Sequence, residues 1–299
     1  MMAGILEQLS NDLGAVVQRA GVGVVRVSAR RRQAASGIVW SADGLIVTAN
    51  HVVERDENIQ IGLPDGSKTT AVLAGRDPST DIAVLKVETS GLTPAVWADE
   101  RALKVGHLVV AVGRPESTLQ AALGIINTLD GEWRTMGGGT VSSFVQSEVV
   151  MYPGFSGGPL VSAGGSFVGM NSSALARGMS IALPPATLRS VVETLAAHGR
   201  MRRGFLGVSA QPARLPAPIA EQFGQETALL LISVEVGGPA EAAGMMMGDV
   251  LVSLDGLRIR HMDDLMGALA GDRVGKTVPA SVVRGGQVLE LKVTISERE

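Results

Sequence analysis

Between residues 22 and 183 the apolar residues fall into short runs closed by turn residues, without the 3.6-residue period of a helix. Val22-Gly23-Val24-Val25-Arg26-Val27 alternates, and Arg30-Arg31-Arg32 then reads as a solvated hairpin loop. Ser36-Gly37-Ile38-Val39-Trp40 and Leu45-Ile46-Val47-Thr48 flank the turn Ala42-Asp43-Gly44. Ile59-Gln60-Ile61, the turn Pro64-Asp65-Gly66 and runs at 70–73, 81–87, 108–112, 121–129 and 140–146 continue the series. Successive parallel strands need a crossover, usually a helix, and no helical pattern intervenes between these runs. The pattern predicts a mainly β fold of antiparallel barrels.

Helical spacing appears on either side of this region. Ile5, Leu6, Leu9, Leu13, Val16 and Val17 put one apolar stripe on a helix over 3–20. That stripe serves either packing on its own domain or contact with another copy. Leu188, Val191, Val192 and Leu195 mark a second amphipathic helix over 186–197, followed by a polar hinge at 199–203. Residues 130–139 are too glycine-rich to hold a strand and are expected to be a mobile loop.

The chemistry is concentrated in Tyr152-Pro153-Gly154-Phe155-Ser156-Gly157-Gly158-Pro159-Leu160. A serine between glycines suits neither helix nor strand, and it lets another molecule approach the backbone closely. Gly154-Phe155-Ser156-Gly157-Gly158 also satisfies G-x-S-x-G, the nucleophile elbow of α/β-hydrolases. The elbow requires a helix starting at the serine and a histidine later in the chain. Gly157-Gly158-Pro159 starts a helix badly, and two short runs, Pro159-Leu160-Val161 and Phe167-Val168-Gly169-Met170, follow as a hairpin. A base and an acid instead precede the serine. His51 follows the apolar run 45–47, and Asp81 opens the run 81–87. The order His51, Asp81, Ser156 is that of chymotrypsin-like triads.

These three segments resemble the HtrA (Deg) family of trypsin-like serine proteases, and the stretch "GPAEAAGMMMGDVLVSLDG" resembles a bacterial PDZ domain. The resemblance spans roughly residues 21 to 296 and implies two six-stranded β-barrels (chymotrypsin-like) over 21–198 and a PDZ domain over 204–299. It implies that His51 is the general base, Asp81 its orienting acid and Ser156 the nucleophile, with the amides of Gly154 and Ser156 as the oxyanion hole. Met151, near the base of the S1 pocket in such enzymes, implies cleavage after Val, Ala or Leu. Met170, Asn171 and Ser172 would form the strand wall for substrate. Phe205, Leu206, Gly207 and Val208 would hold a peptide carboxylate, with Leu265 lining the side-chain pocket. The loop at 130–139 would relay regulatory signals, and the N-terminal helix would build a homo-oligomer, a trimer being favoured. Unfolded polypeptides are the implied substrates and C-terminal peptides the implied PDZ ligands. Phe155 departs from the family, which has asparagine there, so a collapsed oxyanion hole is expected in the resting enzyme. The alternative is a silent PDZ scaffold or chaperone that keeps the triad.

Composition narrows the classes further. A net charge of -3 with interspersed signs argues against a nucleic-acid surface, and with 3% aromatics the cores must be built from Val, Leu, Ile and Ala. Without cysteine there is no disulfide and no Cys-ligated zinc, and the other histidines (His107, His198, His261) lack metal-ligand spacing, so neither metal nor cofactor is expected. No stretch approaches 18 apolar residues, so no membrane span is expected. As written, the first residues lack a secretory pattern. The expectation is therefore a cytoplasmic location, or an extracytoplasmic one if the start is trimmed or misassigned.

Overall fold

A computed structural model describes residues 2–31, 33–89, 91–131, 133–135, 140–141, 143–176, 178–201, 204–269 and 273–297. The chain divides into two compact units, 1–201 and 202–299. The first unit opens with α1 (Met2–Gly21). The second half of its apolar stripe, Leu13, Val16, Val17 and Ala20, packs into the core, whereas Ile5, Leu6 and Leu9 are exposed.

Six strands follow: β1 (Val24–Ser28), β2 (Ala35–Val39), β3 (Leu45–Ala49), β4 (Ile59–Gly62), β5 (Lys68–Asp77) and β6 (Ile82–Val87). They close into an antiparallel barrel in the order β1-β2-β3-β6-β5-β4. Closure pairs every strand on both sides and leaves no open edge. Small and branched side chains, among them Val25, Ile46, Ile59, Ile61 and Leu85, fill it.

The second barrel uses β7 (Leu108–Gly113), β8 (Gln120–Asp130), β11 (Phe144–Ser147), β12 (Pro159–Ser162), β13 (Phe167–Ser172) and β14 (Ser180–Leu183), and it closes as β11-β14-β13-β12-β7-β8. The expected mainly β architecture of two antiparallel six-stranded barrels is therefore present. The loop after β8 differs in part from expectation. Trp133–Arg134 (β9) pairs with Thr140–Val141 (β10), because Trp133 stacks edge-on against Phe144 with ring centroids 5.5 Å apart. Glu132 and residues 136–139 of that loop lie outside the described residues, as does Arg32 of the arginine loop.

Helix α2 (Pro185–His198) ends on left-handed Gly199 and buries Leu188, Val191, Val192 and Leu195. Arg200 bridges to Arg76 of the first barrel and Met201 packs on the core, so the start of the expected hinge is tied down. Arg202 and Arg203 lie outside the described residues.

The second unit begins with β15 (Gly204–Phe205), paired with β22 (Ser296–Glu297). Its main sheet runs β16 (Val208–Arg214), β17 (Thr227–Val234), β18 (Val250–Leu254), β20 (Thr277–Arg284) and β21 (Gln287–Thr294), with β19 (Leu257–Arg258) paired to β18. Helices α3 (Ala217–Phe223), α4 (Pro239–Ala242) and α5 (Met262–Ala268) complete it. β16 is an edge strand, open on one side to an added strand. Among the described residues, no helix is long and apolar enough to cross a membrane.

Candidate active site

Strand register brings the first two site residues together. β3 and β6 are antiparallel neighbours with Ala49 opposite Ile82. The residue after β3 and the residue before β6 must therefore meet, and the Asn50 N–H donates to the Asp81 carbonyl at 3.0 Å. A single 3-10 turn, Asn50–Val52, then aims His51 back over Asp81.

His51 Nδ1 lies 2.8 Å from Asp81 Oδ2 and 3.1 Å from Oδ1. The His51 backbone N–H donates to Oδ1 at 2.8 Å, and Ser172 Oγ donates to Oδ2 at 2.5 Å. Asp81 is buried and sits at φ +57°, a left-handed conformation that Asp tolerates better than most residues. Its carboxylate is thus oriented by three donors from two barrels. A carboxylate can only accept, so Nδ1 carries the proton and Nε2 is left as an acceptor.

Ser156 lies in the connection between β11 and β12, across from the first barrel. Its carbonyl accepts from the Ser36 N–H at 3.3 Å, and the neighbouring Gly157 N–H donates to the Asn171 carbonyl at 2.9 Å. Ser156 Oγ is 3.0 Å from Ser173 Oγ, and among the described residues no hydrogen bond joins it to His51. Catalytic hydrogen bonds in unliganded enzymes are often loose and tighten only when substrate binds.

Gly154 takes φ +93°, a conformation that favours glycine. Among the described residues no acceptor takes the N–H of Gly154 or of Ser156, although both neighbouring carbonyls are engaged. This differs from the collapsed hole expected from Phe155. That side chain makes no polar contact. It is fully buried in the second barrel beside Val109, Ala111 and Leu160, with Tyr152 edge-on at 5.7 Å.

The other anticipated residues divide sharply. Met151 is half-buried against the second-barrel core. Met170 and Asn171 are buried, and their strand is paired on both sides, with Leu183 and Ala182 of β14 and with Pro159 and Gly158. Met170 and Asn171 therefore offer no free backbone edge for a substrate strand, and of the three only Ser172 reaches the triad, through Asp81. The open edge begins after Asn171. In the second unit, Gly207 has φ +75°, Leu206 is buried, and no acceptor among the described residues takes the N–H of Leu206 or Gly207. Leu265 is buried in that unit's core.

Sequence reasoning missed Ser36 and Gln33, which carry no motif of their own. It also missed Thr135, whose hydroxyl donates to the Ser79 carbonyl two residues before Asp81 and so ties the 130–139 loop to the acid's segment.

The family of trypsin-like peptidase domains matches residues 35–170, and the PDZ domain family matches residues 204–295. A relative from Ectopseudomonas mendocina (strain ymp), named "Probable periplasmic serine endoprotease DegP-like", is 37% identical over 276 residues, covering 89% of this chain and 57% of its own length. A relative of the same name from Chlamydia trachomatis is 31% identical over 268 residues, covering 88% of this chain and 54% of its own. The chain thus spans a little over half the length of these curated relatives. Among solved structures, the HtrA-type protease AlgW with a decapeptide superposes with a TM-score of 0.77 at 27% identity, covering 95% of this chain and 98% of that one. The serine endoprotease from Yersinia pestis gives 0.77 at 29% identity, with coverage of 95% and 97%. The relatives' periplasmic names overturn the cytoplasmic placement expected above, which rested only on the character of the first residues.

Proposed function

Because the chain belongs to the HtrA-type serine proteases, with a trypsin-like peptidase domain joined to a PDZ domain, we propose that it is an ATP-independent serine endopeptidase acting on unfolded polypeptides outside the cytoplasm. The observation that carries this reading is the His51–Asp81 pair, since an imidazole aligned on a buried carboxylate keeps Nε2 free to take a hydroxyl proton.

In the proposed reaction Ser156 Oγ attacks the scissile carbonyl carbon while its proton passes to His51 Nε2. Asp81 stabilises the imidazolium through Nδ1–H. The amides of Gly154 and Ser156 take the charge that develops on the carbonyl oxygen. His51 then returns the proton to the departing amine, and water repeats the sequence on the acyl-enzyme. Met151 supports cleavage after Val, Ala or Leu, because an apolar side chain cannot pair with Lys or Arg.

In the same proposal, the peptidase domain runs from 21 to the helix ending at His198, and the PDZ domain from 204 to 299. The loop at 205–208 and the open edge of β16 would take the C-terminus of a peptide. Exposed Ile5, Leu6 and Leu9 would contact further copies, a trimer being favoured. The silent-scaffold reading is disfavoured by the two unspent amides beside Ser156. A fluorophosphonate probe tests the proposal. Labelling at Ser156 that Ser156→Ala abolishes is the expected result, and an unlabelled wild-type protein would sink it.

A further inference from the structure

We propose that Ser36, assisted by Gln33, is a positioning residue that keeps the oxyanion hole open, a task that Phe155 cannot perform. The inference rests on the serine-peptidase reading of the same site.

Three successive carbonyls in the turn before Ser156 are engaged. Gln33 Nε2 donates to the Pro153 carbonyl at 3.1 Å, Ser36 Oγ donates to the Gly154 carbonyl at 2.7 Å, and the Gly158 N–H donates to the Phe155 carbonyl at 2.9 Å. Among the described residues no peptide bond is cis, and in a trans peptide the N–H points away from its own carbonyl. Holding the Pro153 carbonyl therefore turns the Gly154 N–H the other way, and holding the Phe155 carbonyl does the same for the Ser156 N–H. The peptide between them is gripped at both ends, since the Phe155 N–H donates to the Tyr152 carbonyl at 3.1 Å.

The direction of the Ser36 bond is not free to reverse. The Arg114 backbone N–H, which can only donate, reaches Ser36 Oγ at 2.8 Å, so the hydroxyl proton must go to Gly154. Ser36 is itself held on several sides. It is fully buried, its carbonyl accepts from Thr48 Oγ1 at 2.7 Å, and its N–H donates to the Ser156 carbonyl. Two of the three carbonyl restraints thus come from the first barrel, whereas the Phe155 side chain contributes only an apolar anchor. Without Ser36 Oγ the buried Gly154 carbonyl has no donor among the described residues, and the turn can rotate to find one, carrying the two amides with it.

The experiment compares wild type, Ser36→Ala and Gln33→Ala by fluorophosphonate labelling, steady-state cleavage of a peptide, and thermal unfolding. Ser36→Ala should lower kcat and the labelling rate by about tenfold or more, short of the hundredfold to thousandfold lost with a hole donor itself, while KM stays within about twofold. A folded Ser36→Ala protein with wild-type kcat overturns the inference. If Ser36→Ala does not fold, Gln33→Ala decides. Gln33 is exposed, and losing its single bond should slow labelling about threefold at an unchanged unfolding temperature. No slowing would overturn the inference. A wild type that does not label at all fails the peptidase reading, and this inference falls with it.

Discussion

The hydroxyl of Ser156 is paired with the hydroxyl of Ser173 at 3.0 Å rather than with His51. In the arrangement where Ser156 is the donor, that pairing must break before the proton can move to the imidazole. Ser173→Ala removes a competitor worth about 1 kcal/mol, so fluorophosphonate labelling at Ser156 should speed up by about fivefold. A rate that stays the same or drops would mean that Ser173 does not hold the nucleophile back.

Asp81→Asn should keep the fold and lose the chemistry. Asparagine tolerates the left-handed backbone at this position, and its oxygen can still accept from the His51 N–H. Its NH2 group would then face Nδ1, drive the ring proton to Nε2 and block acceptance from Ser156. We expect kcat to fall about ten-thousandfold with the unfolding temperature little changed. Retained activity within tenfold of wild type would show that the carboxylate does not set the tautomer.

Phe155→Ala should destabilise the peptidase unit by about 3–5 kcal/mol, because the ring is fully enclosed and its removal leaves a cavity in a close-packed barrel. Chemical denaturation measures this directly. A loss below about 1 kcal/mol would mean that the barrel collapses to fill the space.

The PDZ unit should be acid-sensitive through Asp249. Burial opposes ionisation of this carboxylate, but Arg284 grips both oxygens at 2.7 and 2.8 Å and the Met246 N–H adds a third bond, so its pKa lies below the ordinary 3.8. As pH falls below about 4 the unfolded chain takes up a proton that the folded unit refuses, so stability is lost as pH drops toward the folded value. Asp249→Asn should start less stable at neutral pH and show a shallower acid limb. Parallel acid limbs for the two proteins would assign the sensitivity elsewhere.

Gly207→Ala should weaken binding of C-terminal peptides by about tenfold, since a side chain at φ +75° costs about 1–2 kcal/mol and the loop would relax away from its present course. Titration of a fluorescent peptide reads the change. Unaltered affinity would place the carboxylate site outside the 205–208 loop.

Much of this protein is legible in one dimension. The alternation of short apolar runs with turn residues suffices for antiparallel barrels, because side-chain direction along a strand repeats every two residues whatever the strand pairs with. The three segments around His51, Asp81 and Ser156 stand out because glycine, proline and polar residues interrupt that alternation. Residues inside unbroken strands were harder to place. Met170 and Asn171 read as a substrate wall, yet both flanks of their strand are already paired.

What the sequence by itself determined is therefore the local chemistry: which residues can donate, accept, turn or pack. Tertiary structure alone decided what those groups meet. The opposition of Ala49 and Ile82 sets His51 on Asp81, and a strand serine with no motif, Ser36, crosses 118 positions to the Gly154 carbonyl. Such pairings follow from how each barrel closes and how the two barrels abut, and closure depends on strand stagger summed around a ring rather than on any neighbouring residue.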